Sequence, residues 1–271
     1  MTMRYIDHQA LLQQVFADEL GAKAKTRLAR AYRKLATIAE ADRTAYSKRN
    51  GPNKWKPVKD GLTKLIGLKC WYTEVELLGA PLAVDHYRPV CSYWWLTYEP
   101  ENYRLACPWA NSSEPNAAHG RVGGKGDNFP LLPPEIRART AAELAAEVPV
   151  ILDPCNQADC ELLAFQSDGR PVLNPLFAQD PIAARRVEES KILINLDHPD
   201  LNSKREQLCR EIGIDVRAVE ALPAGSPERL DVQARIKTRL GSKAPFSAAA
   251  RCYLQAHRHL DWVDNILNSP P

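Results

Sequence analysis

Apolar residues recur every three or four positions through the first part of the chain, which is the spacing of an amphipathic helix. One such stripe includes Leu12 and Phe16, and a second includes Leu28 and Leu35. Basic side chains surround the second stripe. We therefore expect residues 8–46 to be mostly helical.

Glycine and proline mark where this pattern stops. Gly51-Pro52 interrupts the second stripe, and we expect residues 55–59 after it to form a loop. The helical spacing returns over residues 181–268, where Ser226 precedes Pro227 in the order of an N-cap and a first helical position.

Two short stretches between these helical parts are expected to be strands, at residues 82–87 and 103–107. The resulting prediction is an α+β protein that is mostly helical. We divide it into a basic helical N-terminal segment (1–58), a compact central segment (59–135) and a mainly helical C-terminal part (136–271).

Charge is distributed unevenly along the 271 residues, although the net charge is only +3. Residues 21–69 carry fourteen Lys or Arg and three Asp or Glu, a balance of +11, and the rest of the chain is acidic. A solvated helix face would explain this segment, and so would a polyanionic partner. Arg30, Arg33 and Lys34 are the candidates for contacts with that partner.

Hydropathy and cysteine content point to the cytoplasm. The mean hydropathy is −0.38, and the apolar stretch 148–152 is far too short to span a bilayer. We find no apolar signal segment at the N-terminus. Seven cysteines, an odd number at irregular intervals, favour reduced thiols, and none of them forms a C-x-x-C pair.

The central segment carries the residues that point to chemistry. Asp85 and His86 adjoin at the end of the first expected strand, Asn102 precedes the second, and Asn111 follows it. Asp85 and Asn111 offer oxygen ligands to a hard cation such as Mg²⁺ or Mn²⁺. His86 is the candidate base that deprotonates water, and Asn102 would orient it through nearby backbone. A second Asp-His pair, Asp197-His198, has no comparable downstream pattern of asparagines and serves as a comparison.

This order of residues has the form of a ββα-metal, or HNH, nuclease site. Over roughly residues 60–205 the chain resembles the PtuB-type HNH endonucleases of bacterial Septu and retron anti-phage systems. The motifs that carry the resemblance are Lys69-Cys70-Trp71-Tyr72-Thr73-Glu74, Val84-Asp85-His86-Tyr87-Arg88-Pro89, Tyr93-Trp94-Trp95-Leu96-Thr97-Tyr98, Asn102-Tyr103-Arg104-Leu105, Asn111-Ser112-Ser113, Asn128-Phe129-Pro130-Leu131, Leu152-Asp153-Pro154-Cys155 and Leu196-Asp197-His198-Pro199-Asp200-Leu201-Asn202.

The resemblance implies a metal-dependent nuclease that works with a partner ATPase of the ABC/SMC-like type. DNA and RNA both stay open as the nucleic-acid substrate, and DNA is favoured. Arg88, Lys125 and His119 are then candidates for contacts with substrate. Two alternatives stay open. One is a decayed nuclease that only binds nucleic acid or its partner, and the other is a stand-alone restriction-type HNH enzyme.

One departure from that family concerns zinc. Its members commonly carry two C-x-x-C knuckles, but here Thr73 stands at the second position of the Cys70 knuckle and Ala110 at that of the Cys107 knuckle. Two thiolates do not fill a tetrahedral zinc site, and His119 is the nearest additional ligand. We therefore expect aromatic packing to replace structural zinc.

Overall fold

The computed structural model describes residues 3–77, 82–112, 114–116 and 119–268 and has the predicted α+β, mostly helical class. Ser113 of the Asn111 motif lies outside the described residues. The helices are α1 (His8–Val15), α2 (Glu19–Ala36), α3 (Glu40–Asn50), α4 (Pro52–Ile66), α5 (Pro108–Asn111), α6 (Gln157–Glu161), α7 (Pro181–Leu193), α8 (Pro199–Ala221), α9 (Pro227–Leu240), α10 (Ser247–Gln255) and α11 (Asp261–Asn268). Among the described helices, none has the length and apolarity needed to cross a membrane.

The strands form two-stranded antiparallel sheets: β1 (Ala83–His86) with β2 (Tyr103–Ala106), β3 (Glu114–Asn116) with β4 (Arg121–Gly123), and β5 (Leu163–Phe165) with β6 (Pro171–Leu173). The two predicted strands are confirmed as β1 and β2. In their register Asp85 lies opposite Arg104 and His86 opposite Tyr103. The single turn of α5 begins at Pro108, directly after β2.

The N-terminal helices form as the apolar spacing predicts. The carboxylate of Asp18 caps α2 by accepting a hydrogen bond from the N–H of Gly21 at 2.7 Å. Leu28 and Leu35 are buried on the face of α2 that packs against α4, while its basic side chains stay exposed. The predicted helices over residues 8–46 are thus confirmed, as is the N-cap at Ser226.

The predicted loop at residues 55–59 is wrong, because these residues lie inside α4. Pro52 occupies the first helical position, where a missing N–H costs nothing. Pro57 lies one turn further on, and the helix continues past it because Val58, Leu62 and Ile66 form a buried stripe. Tertiary packing therefore outweighs the local effect of the proline.

A buried ion pair joins the central strands to the C-terminal part. Arg104 on β2 donates from Nε and Nη2 to the two carboxylate oxygens of Asp153, at 2.8 and 2.7 Å. Both charges are largely withdrawn from solvent. One hydrophobic cluster also extends from Met3 to Leu267. The division at residues 58 and 135 stays a prediction, and α4 runs through the first of these positions.

His8 is buried beside this ion pair. Its ring meets Trp71 edge-on at 5.0 Å, and its Nδ1 lies 3.3 Å from Nη1 of Arg104. Burial, and then the positive charge of Arg104, lower the pKa of His8 to about 3. The imidazole is therefore neutral at physiological pH and accepts a hydrogen bond from the guanidinium.

We expect His8 to make folding sensitive to acid. An unfolded chain protonates His8 near its ordinary pKa of 6.5, whereas the folded chain resists protonation down to about 3. The contribution of His8 to the free energy of unfolding is therefore full above pH 6.5. It is lost as the pH falls from 6.5 toward about 3, by about 1.4 kcal/mol per pH unit for one proton. Urea unfolding across this range should show a shallower pH dependence for His8→Gln. The exposed His259→Gln should match the wild type, and an unchanged slope in His8→Gln would contradict the prediction.

Candidate active site

A cavity of about 340 Å³ opens beside β1 and brings together three of the predicted site residues, Asp85, His86 and Asn111. The first two end β1, and Asn111 ends α5. The remaining lining comes from α3, α4, β1, the residues after β1 and the segment after β4: Ser47, Lys48, Trp55, Val84, Pro89, Val90, Gly126 and Asp127. The cavity thus lies between the N-terminal helices and the central strands.

The carboxylate of Asp85 is held from behind the cavity by two donors. The hydroxyl of Tyr72 donates to Oδ2 at 2.6 Å, and Nζ of Lys125 lies 2.9 Å from Oδ1. Burial raises the pKa of Tyr72 well above its usual value, so its phenol stays a donor. Two such hydrogen bonds fix the orientation of the carboxylate and leave its other lone pairs for a ligand.

Lys125 does not contact the cavity, contrary to the sequence-based expectation that it could bind phosphate. Its side chain is fully buried, and its Nζ also donates to the main-chain oxygen of His86 at 2.7 Å. A buried ammonium needs such acceptors close by, because it has lost its hydration. Lys125 is therefore the counter-ion of Asp85.

The geometry of His86 suits a neutral base. Its Nε2 lies 2.9 Å from the carbonyl oxygen of Thr97, which can only accept, so Nε2 carries the proton and Nδ1 the lone pair. The rings of Trp55 and Tyr103 meet the imidazole edge-on at 4.9 and 5.1 Å and restrict its rotation. Burial lowers the pKa of His86, which favours the neutral form at pH 7.

Asn102 clamps the chain that follows His86. Its Oδ1 accepts from the N–H of Arg88 and its Nδ2 donates to the oxygen of Arg88, both at 2.9 Å. Its own main-chain oxygen accepts from the N–H of Tyr87 at 2.8 Å. These hydrogen bonds to main-chain atoms hold the chain just after β1 in place. Asn102 is expected from the sequence to act on His86 through such contacts with nearby backbone.

The N-terminal helices supply one wall of the cavity, which no motif in the sequence predicted. The ring of Trp55 reaches both His86 and the backbone of Gly51, where an added Cβ would lie 2.0 Å from the indole. Ser47 is 1% exposed, and its Oγ has no hydrogen-bond partner among the described residues. An unpaired buried hydroxyl in a cavity wall is available to a bound molecule.

Arg88 and His119, which were predicted to contact substrate, lie outside the cavity lining. Nε of Arg88 donates to Glu147 at 2.8 Å, in an ion pair that does not line the cavity. Nε2 of His119 lies 3.3 Å from Oδ2 of Asp197, so this histidine faces the start of the C-terminal helices.

The predicted cationic residues of α2 are also outside the cavity. Arg30, Arg33 and Lys34 are exposed. Arg33 lines a separate groove that also contains Glu99 and Glu101.

The donor atoms in the cavity wall suit a divalent cation. Asp85 is oriented by its two partners, and the side-chain amide of Asn111 makes no hydrogen bond with any described residue. Across the described part of the chain, no three His, Cys, Asp or Glu side chains cluster as a metal site. Two oxygen ligands suit Mg²⁺, which keeps several waters and binds substrate phosphate. The donor set therefore fits one hard cation.

The remnants of the two knuckles meet beside the Asp85 site. Cys70 and Cys107 are both buried, and Oγ1 of Thr73 lies 3.7 Å from Sγ of Cys107. The N–H of Ala110 donates to the main-chain oxygen of Cys107 at 3.1 Å. Both residues that stand in place of a knuckle cysteine therefore contact Cys107. Glu74 next to them is structural, since it binds Lys69 and Ser247.

Comparison with protein-family models and with curated proteins finds no match to this chain. The resemblance to HNH endonucleases therefore remains a prediction from the motifs.

We expect the wild-type protein to hold less than about 0.1 zinc per chain and the double variant Thr73→Cys, Ala110→Cys to hold about one, since four thiolates complete a tetrahedral site. Elemental analysis after dialysis against a weak chelator measures both. Each single variant serves as the control with three thiolates. About one zinc on the wild-type chain would contradict the expectation.

Proposed function

We propose that this protein is a metal-dependent endonuclease of the HNH type, which hydrolyses phosphodiester bonds in nucleic acid. The observation that carries the proposal is the meeting of Asp85, His86 and Asn111 in the wall of one cavity. A carboxylate and an amide oxygen can bind a hard cation, and a neutral imidazole can take a proton from water, which are two roles used in metal-assisted phosphodiester hydrolysis.

In this reaction Nδ1 of His86 removes a proton from the water whose oxygen attacks phosphorus. The carbonyl of Thr97 keeps the opposite nitrogen protonated and so keeps the lone pair on Nδ1. Trp55 and Tyr103 hold the ring in a single plane. A cation bound by Asp85 and Asn111 would neutralise charge on the phosphodiester and on the leaving oxygen.

Exposed cations of α2 support nucleic acid as the partner. Within the described residues, Arg30, Arg33 and Lys34 have no carboxylate partner, so their charge is available to phosphates. We propose DNA rather than RNA as substrate and an ABC/SMC-like ATPase as the partner protein. The ATPase rests on the motif resemblance alone.

Substitution of His86 by Ala should lower cleavage about 10²–10⁴-fold, because the water loses its base. Asp85→Ala should also abolish cleavage by weakening the cation site. The assay uses supercoiled plasmid and total tRNA with Mg²⁺ or Mn²⁺, and with EDTA as a blank.

The matched control is His198→Asn, which changes the histidine of the second Asp-His pair. His198 caps α8 by accepting from the N–H of Asp200, and Asn can do the same. This variant should cleave like the wild type. Equal cleavage by His86→Ala would refute the site, and absence of cleavage even with the co-purifying ATPase would favour the decayed binding subunit.

Charge reversal at Arg30, Arg33 and Lys34 should weaken nucleic-acid binding and make the affinity less dependent on salt concentration. Fewer phosphates are then neutralised, so binding releases fewer counterions. Fluorescence anisotropy at several salt concentrations measures both effects. The control reverses three exposed cations of other helices, Arg185, Lys204 and Lys237. Equal weakening by the two triple variants would show that α2 has no special role.

A further inference from the structure

We infer that Lys125 makes cation binding at this site depend on the phosphodiester, so that the divalent cation and the nucleic-acid backbone bind together. This inference rests on the proposed function and adds the condition under which the cation is held. It follows from the charges that surround the cavity.

Both carboxylates in the cavity wall are already paired with a lysine. Asp85 pairs with Lys125, and Asp127 pairs with Lys48 at 3.0 Å. The charges of these four side chains cancel. A divalent cation entering alone therefore meets no net negative charge.

The charge of Lys125 is fixed in place, unlike that of Lys48. Lys48 and Asp127 are both more than half exposed, so water and salt screen their pair. Lys125 is fully buried, and its main-chain N–H donates to the oxygen of Ala110 at 2.8 Å. Its ammonium therefore acts on the cation through a poorly screened medium.

A phosphodiester supplies what the cavity lacks. It brings one negative charge and oxygen ligands, while the amide of Asn111 and the hydroxyl of Ser47 offer uncharged hydrogen-bonding groups that are unpaired among the described residues. Cation and phosphate then neutralise each other inside the cavity. Each should raise the affinity for the other by the same factor.

The test measures Mn²⁺ binding by electron paramagnetic resonance in His86→Ala protein, which is not expected to cleave. Mn²⁺ is titrated with and without a duplex oligonucleotide, and binding to the oligonucleotide alone is subtracted. We expect the oligonucleotide to tighten Mn²⁺ binding by about tenfold or more. Adding Lys125→Gln should tighten binding of Mn²⁺ alone by a similar factor and reduce the effect of the oligonucleotide, since an unscreened positive charge is gone.

The control is Lys69→Gln in the same background. Lys69 is also a buried lysine, 4% exposed and 3.1 Å from Glu74, but it lies away from the cavity lining. It should leave Mn²⁺ binding unchanged. A structural disturbance common to buried lysines would affect both variants.

Two results overturn the inference: Mn²⁺ affinity that does not respond to the oligonucleotide, or Lys125→Gln protein that binds Mn²⁺ no more tightly. If Lys125→Gln fails to fold, the comparison with and without oligonucleotide decides alone. Cleavage by the unsubstituted protein is scored separately. If the protein shows His86-dependent cleavage but the oligonucleotide does not change its Mn²⁺ affinity, only this inference is refuted. Absence of cleavage even with the co-purifying ATPase refutes the proposed function.

Discussion

The ion pair between Asp85 and Lys125 is the contact on which the centre of this protein depends. It joins β1 to the segment after β4, and the main chain of that segment is bonded to Ala110 and Asn111 of α5. A buried ion pair stabilises a fold only when further hydrogen bonds satisfy both charges, and here Tyr72 and the main chain of His86 do so. Removing one partner from such a pair costs about 3–5 kcal/mol. The ion pair that orients Asp85, the proposed cation ligand, thus also holds β1 against the segment after β4.

The parts of the site that were predictable from the sequence are those that lie close together along the chain. Asp85 and His86 share a strand, and Asn102 flanks the strand that pairs with it, so local pattern and antiparallel pairing bring them together. Ser47 and Trp55 reach the cavity from α3 and α4, and they precede Asp85 by 38 and 30 residues. Their positions depend on how these two helices pack, and the proline inside α4 led to the wrong prediction of a loop there.

Residue type and closeness in sequence to the site also did not predict which partners a side chain contacts. His119 follows Asn111 by eight residues, yet the β3–β4 hairpin carries it to Asp197. Arg88 lies two residues after His86 but pairs with Glu147. Both side chains meet partners more than fifty residues away in sequence, and no local pattern specifies such partners. The second Asp-His pair likewise has a structural role, with His198 as a helix cap.

The two altered knuckles, at Cys70 and Cys107, also depend on packing against distant parts of the chain. Small modules bind zinc because they cannot bury enough apolar surface to fold alone. Here Cys70, Trp71 and Cys107 belong to a hydrophobic cluster that continues into the N-terminal and C-terminal helices. The central strands therefore share their core with helices on both sides of them in the chain, and a hydroxyl at position 73 and a methyl group at position 110 are buried beside Cys107. The helices that supply Trp55 to the proposed active site thus also bury the residues around the two altered knuckles.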